Sequence, residues 1–397
     1  MSIPNSTSDL LAALRPSSAA LPESRIVTVF NHGRNKPGLI PLWAGEGDLP
    51  TPAFIAEAAS RALLGGDTFY TYQRGIPELR EAIAAYHTRH YGRPFSAENF
   101  FVTGGGMQAI QLAFQMTVGA GDEVLVPTPA WPNFRGAAEI QGARITSVPM
   151  QLEPTGWRLD LDQLFAAAGP RTRAIVINSP ANPSGWTASQ GDLAAILAFA
   201  RQRGLWIIAD EIYHRFHFAG GLAPSLQHLI EPEDRVLFAE TFSKNWAMTG
   251  WRIGWLQAPV ALGQVIENLT QYNTSGVAPF MQRGAIAALD EGDAFIDGQV
   301  ARARQGLEIV TKALAPLNSV RYVAPAGAFY AFFGLDGVTD SLSAALRIVD
   351  VAGVGLAPGV AFGDGADPYF RVCFLRSPEQ LSEAMQRLSR WISRRAS

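Results

Sequence analysis

Sulfur chemistry is almost absent from this chain. Cys373 is its single cysteine, so no intrachain disulfide can form and a cysteine-rich metal site is excluded. Such thiol economy suits a reducing compartment, and a cytoplasmic location is expected. An excess of one charge is lacking too. Lys and Arg number 32 against 35 Asp and Glu, a net charge of −3, so neither nucleic acid nor an anionic membrane is expected as a partner. The start, Met-Ser-Ile-Pro-Asn-Ser-Thr-Ser, has neither the basic residues nor the apolar run of a secretory signal, and no export is expected. A long window without Asp, Glu, Lys or Arg includes Phe101 to Gly121. Its Gln108, Gln111, Gln115 and glycine cluster predict a strand, a turn and a helix instead of a membrane span. Repeats are missing, and low complexity is confined to a Ser/Pro/Ala-rich stretch over residues 4 to 23, expected as a loose arm.

What is present is apolar material: 48% of the 397 residues are hydrophobic and 17% charged, enough core for two or three lobes. From about residue 97 to 260, short apolar runs alternate with helical periodicity. Strands are predicted at Phe100–Thr103, Glu123–Pro127, Ala174–Asn178, Leu205–Ala209, Val236–Glu240 and Ile253–Gln257. Between two of them, Leu193, Ile196, Leu197 and Ala200 mark one face of a helix, capped by Ser189 with Asp192 three residues on and closed by Gly204. That order predicts an α/β fold with a mostly parallel sheet covered by helices. The C-terminal part reads as a smaller α+β lobe, with strands at Val320–Val323, Phe329–Phe333 and Phe370–Phe374 and a helix from Ser377 carrying Leu381, Ala384, Met385, Leu388 and Ile392. The expected division is an N-terminal arm and part of the small lobe over 1–45, a large domain over 46–290 and a small domain over 291–397.

In an open parallel sheet the ligand sits beyond the carboxyl ends of the strands. Four clusters stand at such places. Thr103-Gly104-Gly105-Gly106-Met107-Gln108-Ala109 opens a helix with glycines, and free amides there suit a phosphate. The same letters fit a dinucleotide fingerprint, with Asp122 and Glu123 downstream, although those acids begin the second strand where a ribose-binding acid should end it. A tight structural turn also fits. Asn178-Ser179-Pro180-Ala181-Asn182-Pro183-Ser184-Gly185 is a run of turn formers. Ile207-Ile208-Ala209-Asp210-Glu211-Ile212-Tyr213 puts a carboxylate where an apolar strand ends, and a buried Asp there needs a partner. Last, Thr241-Phe242-Ser243-Lys244-Asn245-Trp246 runs on to Gly250-Trp251-Arg252-Ile253-Gly254, so a lysine and an arginine point into one crevice.

These clusters, in this order, resemble the class I/II aminotransferases of the pyridoxal phosphate-dependent fold-type I superfamily, the aspartate aminotransferase-like family, over residues 40 to 375. The resemblance implies that Lys244 is the Schiff-base lysine and proton carrier and that Asp210 pairs with the pyridine nitrogen. It implies that Tyr213 and Asn182 hydrogen-bond the ring hydroxyl and that Trp131, in Thr128-Pro129-Ala130-Trp131, stacks on the ring. Arg252, Thr241 and backbone amides near Gly105, Gly106 and Met107 match the phosphate ligands. Arg371, in Phe370-Arg371-Val372, matches the clamp on the substrate α-carboxylate, with Gly45 and Asn182 beside it. Gly47 stands where the family often has Pro. Tyr70 matches a tyrosine that reaches the phosphate of the neighbouring subunit, which implies a homodimer with shared sites.

The implied activity is a pyridoxal 5'-phosphate-dependent, ping-pong transfer of an amino group from an L-amino acid to a 2-oxo acid. A C–S β-lyase or an aspartate aminotransferase is the alternative, and a dinucleotide-dependent oxidoreductase a remote one that leaves Lys244, Asp210 and Arg252 unexplained. Met107 stands where the bacterial aspartate aminotransferases carry a lysine that pairs with the substrate's distal carboxylate, so aromatic or other apolar amino acids are expected to outrank aspartate. Trp131, Phe134 and Trp246 are candidates to add apolar surface, and Arg74, beside Tyr70, is a candidate cation from the partner subunit. No metal is expected: His87 with His90 and His214 with His217 lack a third ligand. Cys373 alternates with Arg371 and reads as packing, and the basic end from Arg390 to Arg395 reads as a solvated helix terminus.

Overall fold

The apolar runs between residues 100 and 257 become strands because both of their faces are covered, so nearly every residue in them is buried. The structure, a computed structural model, describes residues 7–396. Its central sheet has seven strands: β1 Phe100–Thr103, β2 Glu123–Thr128, β3 Arg144–Pro149, β4 Thr172–Asn178, β5 Trp206–Asp210, β6 Val236–Thr241 and β7 Gly254–Gln257. Their order is β1-β7-β6-β5-β4-β2-β3; β7 runs antiparallel to both of its neighbours and the remaining pairs are parallel. Alternation divides the side chains between two faces. Val124, Val126, Val176, Ile208, Leu237 and Leu256 meet the helices Gly106–Thr117 and Pro132–Ile140 on one of them. Leu125, Ile175, Ile177, Ile207 and Phe238 meet the helix Gln190–Arg203 on the other.

That last helix shows how local rules place its ends. Ser189 and Asp192 form the reciprocal capping box, and Gly204 closes it at φ +65°. Strand β5 begins one residue later than expected because the Leu205 amide still bonds to Ala200 O, which ties Leu205 to the helix cap. The uncharged window from Phe101 is β1, a turn and the helix Gly106–Thr117; among the described residues no helix is long and apolar enough to cross a membrane.

The second sheet is antiparallel, with β8 Val320–Arg321, β9 Tyr330–Leu335, β10 Ala357–Pro358 and β11 Tyr369–Cys373 in the order β8-β9-β11-β10. Helices Asp293–Leu314, Ser341–Ala352 and Pro378–Ala396 enclose it. The chain before the large lobe reaches this second core: Ile40 and Pro41 pair in parallel with Val354 and Gly355, and Leu42 O accepts the Cys373 amide. The expected loose arm is more ordered than its composition suggests. Residues Thr7–Ala12 and Pro16–Ala19 are short helices, and Arg15 anchors them by donating to Ile140 O at 2.7 Å. The arm's start at residues 4 to 6 lies outside the described residues.

Candidate active site

The carboxyl ends of β1, β5 and β6 converge on a cavity of about 500 Å³ whose walls come from both lobes. At one end lies a cradle for an anion. Gly105, at φ +86°, caps the helix Gly106–Thr117, whose first amides have no partner within the helix. Any side chain at 105 would be strained by that φ, and its Cβ would sit 2.7 Å from Arg252 Nη2. Glycine is therefore what lets the arginine approach the helix start. Arg252 itself sits at φ 53°, and its Nη1 donates to Thr249 O at 2.7 Å. Thr241 and Ser243 complete this end, with their hydroxyls 2.9 Å apart.

In the middle stand an amine and a carboxyl whose proton affinities are both shifted toward neutrality. Lys244 donates from Nζ to Gly45 O at 2.6 Å, and desolvation lowers its ammonium to about 8. Asp210 ends β5; burial raises its carboxyl to about 7, opposed only partly by a long bond from the Ile212 amide (3.4 Å) and by the charge of Lys244. A buried acid and a buried amine sharing one cavity, each pushed toward neutrality, mark a site of proton chemistry.

The far wall is built around Arg371 of β11. Its Nη1 donates to Asn182 Oδ1 at 2.8 Å and its Nη2 to Trp43 O, while among the described residues its buried Nε finds no acceptor. A buried cation with a spare donor is suited to an anion in the cavity. Asn182 accepts from Arg371 through Oδ1, which leaves its amide nitrogen available as a donor, and both Asn182 and Tyr213 line the cavity. Burial holds the Tyr213 phenol well above its ordinary value, and its hydroxyl meets that of Tyr330 at 2.7 Å.

Of the expected residues, Gly45, Gly106, Met107, Trp131, Asn182, Asp210, Tyr213, Thr241, Lys244, Arg252 and Arg371 line this one cavity, and Gly105 lies directly behind Arg252. Tyr70 does not: it is 94% exposed at the surface. Several secondary candidates are corrected. Phe134 is buried edge-on behind Trp131 at 5.4 Å, and Trp246 is buried in the core beneath the helix Pro77–Tyr91, so neither lines the cavity. Arg74 is engaged by Glu267 at 2.7 Å and Glu98 at 3.2 Å. Glu123, the acid of the dinucleotide fingerprint, pairs instead with Arg144 and Arg171.

His87 and His214 are buried, and His214 donates from Nδ1 to Glu211 O at 2.9 Å. Cys373 is buried and donates to Glu46 O. Sequence reasoning passed over Ser243, although it adjoins Lys244, and also Glu46, Ile26, Asn133 and Tyr330. Of these, Ser243 and Glu46 stood inside segments singled out in the sequence, Glu46 between Gly45 and Gly47; Ile26, Asn133 and Tyr330 arrive from two helices and a strand whose placement is tertiary.

The chain is similar to known proteins over most of its length. The family description "Aminotransferase class I and II" matches residues 37–388. An aspartate aminotransferase of Pyrococcus horikoshii is 34% identical over 92% of this chain and 94% of its own length. An arginine–pyruvate transaminase of Pseudomonas aeruginosa is 33% identical over 88% of each chain. The crystal structure of an aromatic aminotransferase from Pyrococcus horikoshii superposes with a TM-score of 0.85 at 31% identity, covering 93% of this chain and 99% of the other.

Proposed function

The chain belongs to the class I and II aminotransferases, which depend on pyridoxal phosphate, and from that premise we propose which of its residues do the work and which substrates it prefers. It is a transaminase acting on an amino acid and a 2-oxo acid. The cavity's donor set fits the cofactor. An unpaired cradle of helix amides with Arg252, Thr241 and Ser243 suits a dianionic phosphate, and the desolvated Asp210 carboxyl is matched to a cationic ring nitrogen. When bound, the cofactor supplies a carbonyl for amines and a protonated ring that takes up the electron pair left when the substrate's Cα–H bond breaks.

Lys244 would hold the cofactor and, once freed by the substrate amine, would move the proton between the substrate Cα and the cofactor's C4′ carbon. Its lowered proton affinity leaves a useful fraction of free amine near neutral pH. Asp210 holds the positive charge at the ring nitrogen. Tyr213 and the Asn182 amide nitrogen would donate to the ring hydroxyl oxygen, and Trp131 would cover the ring face. Arg371, oriented by Asn182 and Trp43 O and lacking an acceptor at Nε, grips the α-carboxylate shared by all amino acid substrates, with Gly45 beside it. The two half-reactions then alternate in a ping-pong cycle.

Substrate preference follows from the cations already committed. Among the described residues lining the cavity these are Lys244, Arg252 and Arg371. Met107 offers a thioether, itself contacted by the Asn133 amide at 3.4 Å, and Arg74 is neutralised by two carboxylates. A distal carboxylate would be buried without a partner at a cost of several kcal/mol. Aromatic or other apolar donors therefore rank above aspartate. Relatives named for aspartate, arginine and aromatic substrates stand at nearly the same identity, so resemblance alone does not choose among them.

We further propose a homodimer in which Tyr70 reaches the phosphate of the neighbouring subunit. Its support is the exposure of Leu64, Phe69, Tyr70, Tyr72 and Tyr272, an apolar load that water disfavours. We divide the chain at 1–45, 46–290 and 291–397, a division supported by the break at Gly292 between helices Pro279–Glu291 and Asp293–Leu314. The buried thiol of Cys373, which is in no disulfide, suits a cytoplasmic setting. The observation that carries the whole reading is the convergence of Lys244, Asp210, Tyr213, Asn182, Arg252 and Arg371 on one cavity. Its test is kcat/KM for phenylalanine, methionine, alanine and aspartate, with pyruvate and 2-oxoglutarate as acceptors. Apolar donors are expected to lead, and aspartate ahead by tenfold or more would overturn the preference.

A further inference from the structure

Tyr330 opens β9 in the smaller lobe, yet its side chain is buried against groups from three other segments. Its hydroxyl lies 2.7 Å from that of Tyr213, with the two rings nearly perpendicular at 87°. The same hydroxyl occupies the space a side chain at Gly45 would need, since a Cβ there would sit 2.6 Å from it. The face of its ring carries the Arg371 guanidinium at 4.6 Å. Residues 45, 213, 330 and 371 are thus joined through one phenol.

We propose that Tyr330 is a positioning residue for transamination: its hydroxyl donates to Tyr213 and so sets how strongly Tyr213 holds the cofactor's ring hydroxyl oxygen. The inference rests on the transaminase reading above and adds to it a link between the lobes. Its logic is a count of protons. A phenol has one, and burial keeps both of these phenols protonated well above the ordinary range. If Tyr213 gives its proton to the ring oxygen, the 2.7 Å contact stays a hydrogen bond only with Tyr330 as donor. Donation into the Tyr213 oxygen polarises its O–H and strengthens the onward bond. The ring oxygen is thereby held in its anionic form, and the bound cofactor gives up its titrating proton at a lower pH. Because the Tyr330 ring also supports Arg371, the residue that sets this pH touches the residue that receives the substrate carboxylate.

The test is Tyr330→Phe in the cofactor-loaded enzyme, which keeps the ring under Arg371 and removes only the hydroxyl. The pH midpoint of the cofactor's visible absorbance change is expected to rise by about half to one unit, the worth of one neutral hydrogen bond. Cofactor stays bound, kcat falls severalfold, and KM for the amino acid stays within about twofold because the Arg371 contact is intact. In a Tyr213→Phe background the same substitution should add nothing, since its route runs through Tyr213. An unmoved midpoint with cofactor bound overturns the proposal, as does an equal rise in the Tyr213→Phe background. Should the phenylalanine variant lose cofactor, difluorotyrosine at position 330, a stronger donor of the same shape, must lower the midpoint; an unchanged value overturns the proposal. A parent protein that shows no cofactor band at all overturns the transaminase reading as well, whereas a band that responds to amino acids with an unmoved midpoint overturns this inference alone.

Discussion

Replacing Arg371 by leucine should separate recognition of the α-carboxylate from everything else the cavity does. In the native protein this guanidinium is 3% exposed, bonded to Asn182 Oδ1 and Trp43 O, and stacked over Tyr330 at 4.6 Å and Phe362 at 5.2 Å. A carboxylate gripped by the remaining fork would lose two charge-assisted hydrogen bonds, each worth about 1.5–3 kcal/mol. The sum, about 3–6 kcal/mol, corresponds to a loss of about 10²–10⁴ in kcat/KM. Folding should suffer less. Asn182 Oδ1 and Trp43 O each lose a donor, at about 1–3 kcal/mol apiece, but a buried cation and its desolvation cost disappear with the side chain. The assay is kcat/KM for alanine, methionine and phenylalanine, with an amine lacking a carboxylate as control and cofactor content read by absorbance. All three amino acids should fall together, the amine should hold within about threefold, and Arg371→Lys should lie between, because a point charge lacks the fork. A loss below tenfold for every amino acid, or one confined to a single side-chain class, would refute the assignment.

Lys244→Ala should abolish transamination while cofactor remains bound through the phosphate cradle, and turnover within tenfold of the parent would refute its role as proton carrier. Because burial lowers the Lys244 ammonium to about 8, capture of cofactor by the cofactor-free protein should quicken between about pH 7 and 9 and then level; a climb continuing to 10.5 would mean an ordinary solvated amine. Asp210→Asn should keep the cofactor yet lose about 10² or more in rate. Without cofactor it should also be the more stable protein in base: the native carboxyl is raised from 3.8 to about 7, so the cost of its burial is absent below 3.8 and full above 7. Equal thermal midpoints at pH 8 would contradict this. Gly105→Ala must place a Cβ at φ +86° within 2.7 Å of Arg252 Nη2, so cofactor affinity, measured by titration of the cofactor-free protein, should drop at least tenfold.

Much of the fold was legible because it is local. Runs of Val, Ile and Phe between turn formers could only be strands covered on both faces, and the ends of the helix Gln190–Arg203 were readable from Ser189, Asp192 and Gly204. The motif around Lys244 was readable for a related reason. The residues proposed to bind the cofactor sit mostly at or just after strand ends, where one chain segment brings several of them to the cavity, so their spacing survives as a pattern in the letters.

Contacts between distant segments left no such trace. Arg74 looked free as a letter and is held by Glu98 and Glu267; Phe134 and Trp246 looked available and are buried away from the cavity. Tyr330 looked like one more residue of an apolar strand. Its meeting with Tyr213, 117 positions away in the chain, depends on how the smaller lobe sits against the sheet. By itself, then, the sequence determined the main strands and the caps, since periodicity and covalent spacing act over a few residues, and its resemblance pointed to the family and to the residues proposed to hold a phosphorylated ring. Only the tertiary structure decided which charges are already neutralised, which aromatics line the cavity and which phenol meets Tyr213, because burial and register between segments are set by packing, and packing is a property of the whole chain.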